Sequence, residues 1–258
     1  HASAMSATTA APVRHRALIA GCAMMATMMT VLDSTISIVA LPYMQGSLNT
    51  TLDQTTWVLT SYIIASAIMT APAGWLAQRY GRKNLFIVCI IGFTASSMLS
   101  GAAQSLEQMV LFRVLQGMTG AALVPLSQAT MLDIFPFEQR AQAMAIFGIG
   151  VMIGPIMGGF LTNAASWRWV FYVNLPFGII ALTGLMLFMP QTPVKPDLRF
   201  DWTGFGALAL AVGTFQLTLD RGATENWFES GTIITLAVLA ALGLYLFLVQ
   251  MFTAEKPL

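Results

Sequence analysis

Two ionisable side chains stand where charge is costly. Asp33 lies inside the apolar run 17–41 and Arg113 inside the run 109–131. A charge at the centre of a membrane helix costs about 2.5–3.5 kcal/mol on insertion scales, so such residues are expected to be paired or functional. Burial pushes a carboxyl towards its neutral form, and an adjoining guanidinium pushes it back towards carboxylate. Changing the distance between the two therefore loads or releases a proton. Asp33 lies eight residues before the end of its run and Arg113 four after the start of its own. With a rise of 1.5 Å per residue their depths differ by about 6 Å, which long side chains can span. They are expected to meet directly or through water. Two plainer roles stay open: Arg113 can snorkel to the nearer surface, and Asp33 can make a structural hydrogen bond with Ser34, Thr35 or Ser37.

No other chemistry competes with this pair. Cys22 and Cys89 fall inside apolar runs without CxxC spacing and read as small buried apolar residues. His1 and His15 precede the first run, no His/Cys/Asp set has metal-ligand spacing, and no Ser/His/Asp set or phosphate loop is visible. Neither an enzyme nor a bound metal or cofactor is expected. Met24, Met25, Met28 and Met29 form two i, i+4 pairs. Flexible thioethers suit a pocket for varied apolar ligands, although ordinary packing explains them as well.

The elements that must position the pair are membrane helices. Hydrophobic residues make up 57% of the chain and charged residues 9%, with a mean hydropathy of +0.73. A soluble domain carries about 25% charged residues, so lipid is the main solvent here. The net charge of +1 offers no basic patch for nucleic acid. Runs long enough to cross a bilayer occur at 17–41, 57–77, 84–103, 109–131, 143–161, 170–189, 202–219 and 232–252. In lipid every backbone polar group must be paired within its segment, so each run is expected to be helical.

Basic residues orient these eight expected spans. Arg14, Arg16, Arg79, Arg82, Lys83, Arg140, Lys195, Arg199 and Lys256 fall on one side, and only Arg168 and Arg221 on the other. The positive-inside rule then makes both termini cytoplasmic. Trp167, Trp169 and Tyr172 are expected in an interfacial aromatic belt. Residues 190–201, broken by Pro190, Pro193 and Pro196, read as a cytoplasmic linker between six helices and a final hairpin. The opening His1-Ala2-Ser3-Ala4 reads as a cloning remnant ahead of a natural Met5.

Five stretches then resemble one family, over essentially all of the chain after Ala17. The run Leu32-Asp33-Ser34-Thr35-Ile36-Ser37-Ile38-Val39-Ala40-Leu41-Pro42 resembles the first-helix LDxTIVNVALP signature of 14-helix drug:proton antiporters. Gly74-Trp75-Leu76-Ala77-Gln78-Arg79-Tyr80-Gly81-Arg82-Lys83 resembles the gate loop shared across the major facilitator superfamily. Arg113-Val114-Leu115-Gln116-Gly117 is similar to the RxxQG motif of the fourth helix. Gly150 to Gly159, with Gly154, Pro155 and Gly158, is similar to the fifth-helix antiporter motif. Trp167-Arg168-Trp169 through Asn174-Leu175-Pro176-Phe177-Gly178 resembles the stretch entering the sixth. Gln78 stands where the gate loop usually has Asp, and Ser37 where the first signature often has Asn.

The resemblance, closest to the EmrB/QacA type, implies an all-α fold. Residues 1–16 would be the remnant and cytoplasmic tail, 17–189 a six-helix bundle of two inverted three-helix repeats, and 202–253 an extra hairpin. Residues 254–258 would begin a cytoplasmic link to a missing C-terminal six-helix bundle, so the chain is either a fragment or a half-sized relative that pairs. The implied function is proton-coupled export of apolar or cationic drugs across a bacterial inner membrane, driven by the proton gradient without a cofactor. Asp33 and Arg113 would lie on equivalent first helices facing a central cavity. The glycine stripe would seal against the other bundle, and Arg79, Arg82 and Lys83 would serve either as a gate contact or as positive-inside charges. In a double-membraned host a periplasmic adaptor and an outer-membrane channel are implied partners. Export of a metabolite, siderophore or lipid-like molecule by the same fold, and a non-transporting scaffold or sensor, are the competing readings.

Overall fold

The computed structural model describes residues 15–164 and 166–253, with the side chains of residues 36, 150, 151 and 153–164 excepted. Each expected apolar run falls on helix. The first is α1 (Arg16–Leu48), which is longer than expected because Pro42 does not end it. Proline removes one backbone donor, but the turn beyond it buries Met44 and Leu48 in a cluster with Val58 and Met109. That burial offsets the missing bond.

Proline does break the second run. After the short α2 (Leu52–Thr55), α3 (Trp57–Thr70) and α4 (Ala73–Tyr80) meet at an angle of 55°, with Pro72 at the joint. Helix α5 (Arg82–Ala102) is continuous. The fourth run divides into α6 (Leu106–Gly120) and α7 (Leu123–Ile134), just ahead of Pro125, which cannot donate to the preceding turn. Then follow α8 (Phe137–Ala164), α9 (Trp169–Tyr172), α10 (Asn174–Phe188), α11 (Trp202–Gly222) and α12 (Gly231–Thr253).

Among the described residues, six helical segments are long and apolar enough to cross a membrane, and a seventh if the bent pair counts as one span. The remaining expected run, 143–161, lies on α8, most of whose side chains are outside the described residues. Residues 190–201 carry no helix.

Helix α1 packs against α7, α8 and α10, while α6 packs between α3 and α5. Two apolar clusters result. One gathers Ile19, Ala26, Met29, Phe86, Phe93, Leu123 and Leu185; the other gathers Leu32, Met44, Val58, Met109, Trp167 and Phe171. Asp33 follows directly on Leu32, at the junction of the two. Met29 is buried, with Met24, Met25 and Met28 packed beside the clusters, so these methionines serve packing. Cys22 and Cys89 are buried free thiols, as expected. Helices α11 and α12 pair with each other, and α11 leans on α3.

Candidate functional site

Asp33 and Arg113 meet directly, and both are completely buried. Their meeting depends on α6 presenting Arg113, Gln116, Gly117 and Gly120 on one buried face, at i, i+3, i+4 and i+7. Arg113 Nη1 donates to Asp33 Oδ2 and, at 2.9 Å, to Gln116 Oε1. Gln116 Nε2 donates in turn to Asp33 Oδ1 at 2.8 Å. Both carboxylate oxygens are therefore held from α6, one by charge and one by an amide. Snorkelling of Arg113 is excluded by its burial. The local hydrogen bonds considered for Asp33 do not form either: Ser34 and Thr35 donate to the carbonyls of Thr30 and Val31 on their own helix.

Helix α3 completes the cradle. Arg113 Nε donates to the Val58 carbonyl at 3.1 Å, and the guanidinium carbon lies 4.2 Å from the Tyr62 ring centroid and 5.7 Å from that of Phe171. A cation held over a desolvated aromatic face gains about 2 kcal/mol. Arg113 Nη2 and the Ser37 hydroxyl, one turn beyond Asp33, have no partner among the described residues. Gly117 sets how close α6 comes: a Cβ there would lie 2.5 Å from the Tyr62 carbonyl oxygen and 3.2 Å from the Ser66 nitrogen.

A groove of about 480 Å³ adjoins the pair, shared by α1, α3, α6 and α7. It is lined by Thr30, Ser34, Thr35, Tyr62, Ser66 and Thr70 along with small and apolar residues. Tyr62 belongs to both features, its ring facing Arg113 and its side chain walling the groove. Ser34 follows Asp33 directly. The gap can take a small molecule within one residue of the ion pair. Nothing in the sequence marked Val58, whose contribution is a backbone carbonyl; Tyr62 carried only the weak signal of a polar aromatic in an apolar run. Among the described residues, no three His, Cys, Asp or Glu side chains cluster as a metal site.

The gate-loop residues lie elsewhere, at the α4–α5 corner. Gly81 turns the chain there with φ 87°, which a glycine adopts without strain. Arg82 pairs with Asp133 of α7, its backbone N–H donating to Thr192 Oγ1 at 2.8 Å. Lys83 Nζ donates to the carbonyls of Met186 and Met189 at 2.9 and 2.6 Å, satisfying the end of α10. Arg79 Nη1 reaches the carbonyls of Pro196 and Leu198, and Trp75 Nε1 that of Arg199 at 3.2 Å. Gln78 contributes only its carbonyl, accepting from Lys195 N at 2.8 Å. A Cβ at Gly74 would meet nothing within 4 Å outside its own helix. The loop is thus held by the segment after α10.

Gly150, Gly154, Pro155, Gly158 and Gly159 lie on α8, and their packing falls outside the described residues. At the α9 corner one expectation changes. Trp167 is buried in the second cluster, 6.3 Å from the Phe171 ring, while Trp169 is exposed. Arg168 draws it in, stacking at 4.5 Å while Nη1 donates to the carbonyls of Gly101 and Ala103 at the end of α5.

Comparison with known proteins places this geometry. Residues 23–256 match the Major Facilitator Superfamily. Over 238 residues the chain is 38% identical to the multidrug export protein EmrB of Haemophilus influenzae, covering 90% of this chain and 47% of that protein. It is 36% identical over 240 residues to the fatty acid resistance protein FarB of Neisseria gonorrhoeae, covering 91% and 47%. Among solved structures, a peptide transporter POT in complex with sulfate superposes with a TM-score of 0.67 at 15% identity, over 92% of this chain and 53% of that one. The chain thus spans about half the length of the curated relatives it matches.

Proposed function

Because the chain belongs to the Major Facilitator Superfamily, as a multi-pass membrane protein matching the N-terminal part of multidrug exporters, we propose that it forms half of a proton-coupled exporter of apolar or cationic drugs. Its place is the cytoplasmic membrane of a bacterium. The single observation that carries this reading is the buried triangle of Asp33, Arg113 and Gln116 beside a hydroxyl-lined groove that shares Tyr62 with it.

The triangle acts through its two helices. With Arg113 and Gln116 in contact, both oxygens of the Asp33 carboxyl are engaged from α6. When α6 shifts against α1, the guanidinium withdraws and the buried carboxyl takes up a proton. A substrate entering the groove beside Ser34 and Tyr62 biases the same shift, so binding and protonation compete for one arrangement. Only a ligand with different affinity for the two arrangements can do this. Gln116 holds the second carboxylate oxygen and keeps the geometry of the pair specific.

The proposal includes eight spans with both termini cytoplasmic, supported by the nine-to-two distribution of basic residues. Two inverted three-helix repeats, α1 to α5 and α6 to α10, place Asp33 and Arg113 on corresponding helices. A second six-helix bundle supplies the other wall of the groove and packs on the glycine stripe of α8. The proton gradient is the energy source and no cofactor is needed. A periplasmic adaptor and an outer-membrane channel are the proposed partners in a double-membraned host.

A second reading, export of a lipid-like molecule by the same machinery, is favoured by the 36% identity to a fatty acid resistance protein. Substrate-induced proton release from the purified full-length protein tests the first reading, with a panel of cationic dyes and fatty acids. Release by wild type and none by Asp33→Asn supports coupling at Asp33. Release triggered by fatty acids alone selects the second cargo.

A further inference from the structure

We infer that the extra hairpin positions Arg113 through the first turns of α3, with Asp220 as the positioning residue. The inference rests on the coupling role proposed for Asp33 and Arg113. The start of α3 has two working sides. One faces Arg113, offering the Val58 carbonyl to Nε at 3.1 Å and the Tyr62 ring to the guanidinium at 4.2 Å. The other is fastened to the end of α11. The buried Thr60 hydroxyl donates to Asp220 Oδ2 at 2.5 Å. The Arg221 guanidinium lies 4.6 Å from the Trp57 ring centroid and 3.7 Å from Asp53 Oδ2. Lower down, Gly213 brings α11 against Ile64 and Ile68 of the same helix.

Asp53, Trp57 and Thr60 recur at i, i+4 and i+7, so one face of the α2–α3 segment engages the hairpin. Thr60 stands between Val58 and Tyr62 in sequence. A rotation or slide of this turn therefore moves both groups that hold Arg113. The Thr60 end of the Thr60–Asp220 bond is buried, whereas Asp220, like Asp53 of the Arg221 pair, is exposed. A hairpin attached this way is a brace on the proton-coupling arginine.

The test uses the full-length protein and five variants: Asp220→Ala, Asp220→Asn, Thr60→Val, the double variant of Asp220→Ala with Thr60→Val, and Asp33→Asn. Asn keeps an oxygen that accepts from Thr60, whereas Ala does not. Two readouts are needed. The first is hydrogen exchange of amides 58–62, which reports the turn itself and does not depend on coupling. The second is the pH profile of substrate-induced proton release. Asp220→Ala and Thr60→Val are expected to speed exchange and to displace the profile in the same direction by about half a pH unit, roughly threefold in the proton equilibrium. Their double variant moves it no further, and Asp220→Asn behaves as wild type. Unchanged exchange in both Asp220→Ala and Thr60→Val overturns the brace, whatever Asp33 does. Altered exchange with an unmoved profile overturns its link to Arg113, provided Asp33→Asn abolishes release. Undiminished release by Asp33→Asn instead removes the coupling reading, and this inference with it.

Discussion

Gln116 Nε2 donates to Asp33 Oδ1 across 2.8 Å, joining α6 to α1 by a neutral bond beside the charged one. The amide also accepts from Arg113, so one side chain orients both partners. Gln116→Leu leaves one buried carboxylate oxygen without a donor, a penalty of about 1–3 kcal/mol. The expected outcome is a lower melting temperature in detergent and a broadened pH profile of transport. Gln116→Glu adds a second carboxyl beside Asp33 and is expected to weaken pH-gradient-driven transport more than Gln116→Leu does.

Asp33→Asn keeps size and hydrogen bonding but cannot titrate. It is expected to insert normally, to retain some substrate binding, and to lose transport driven by a pH gradient. Asp33→Glu, with a displaced carboxyl, is expected to keep partial activity. Arg113→Ala leaves a buried carboxylate uncompensated, which costs about 3–5 kcal/mol, so expression level as well as transport should fall. Arg113→Lys keeps the charge but not the fork that reaches Val58, Gln116 and Asp33 together. Dye efflux in everted vesicles separates these cases.

Gly117 and Gly74 offer a matched contrast within two of the resembling motifs. Gly117→Ala forces α6 away from the Tyr62 carbonyl, an overpacking cost of about 1–3 kcal/mol, and moves Arg113 with it. Gly74→Ala meets no neighbour and is expected to leave stability unchanged. Thermal unfolding of the two variants is the measurement, and equal melting temperatures would remove the close-approach explanation.

Topology is open to direct labelling once Cys22 and Cys89 are replaced. Single cysteines at Asn49, Gln104 and Asn226 are expected to react with an impermeant thiol reagent added outside sealed cells. Cysteines at Gln139 and Lys195 are expected to react only after permeabilisation. Outside labelling at Gln139 reverses the orientation drawn from the basic residues.

Asp201 caps the hairpin at its other end. Burial alone would push its carboxyl up, but Gly204 N, Thr203 Oγ1 and Gln250 Nε2 of α12 donate to it and hold it below the usual carboxylate range. A carboxyl depressed in the folded state stabilises above its unfolded value and loses that contribution as pH falls. Asp201→Ala is expected to lower stability by about 1 kcal/mol at neutral pH. The difference from wild type should shrink in acid, where the charge-dependent part of the cap is lost, which unfolding scans at neutral and low pH can check.

Apolar run length alone dictates that this chain is a set of helices in lipid, because a segment without water has no other way to pair its backbone. The same reasoning finds Asp33 and Arg113, since charge inside such runs is rare and costly, and their depths along two helices already allow contact. The motif resemblance supplies the family. Tertiary structure decides the rest. Which prolines break a helix is also decided there: Pro72 stands at a bend and Pro125 just past a break, whereas Pro42 lies inside an unbroken α1 whose next turn is buried. Val58 enters the site as a carbonyl and Tyr62 as a ring, both carried in by α3, and no local pattern announces either. Trp167 looks like an interfacial residue until Arg168 and Phe171 enclose it. Residues 190–201 read as a linker, yet their carbonyls bind Arg79 and Trp75 of the gate loop. Backbone groups and packing faces carry no side-chain signature, so helices distant in sequence had to meet before the contacts around Arg113 existed.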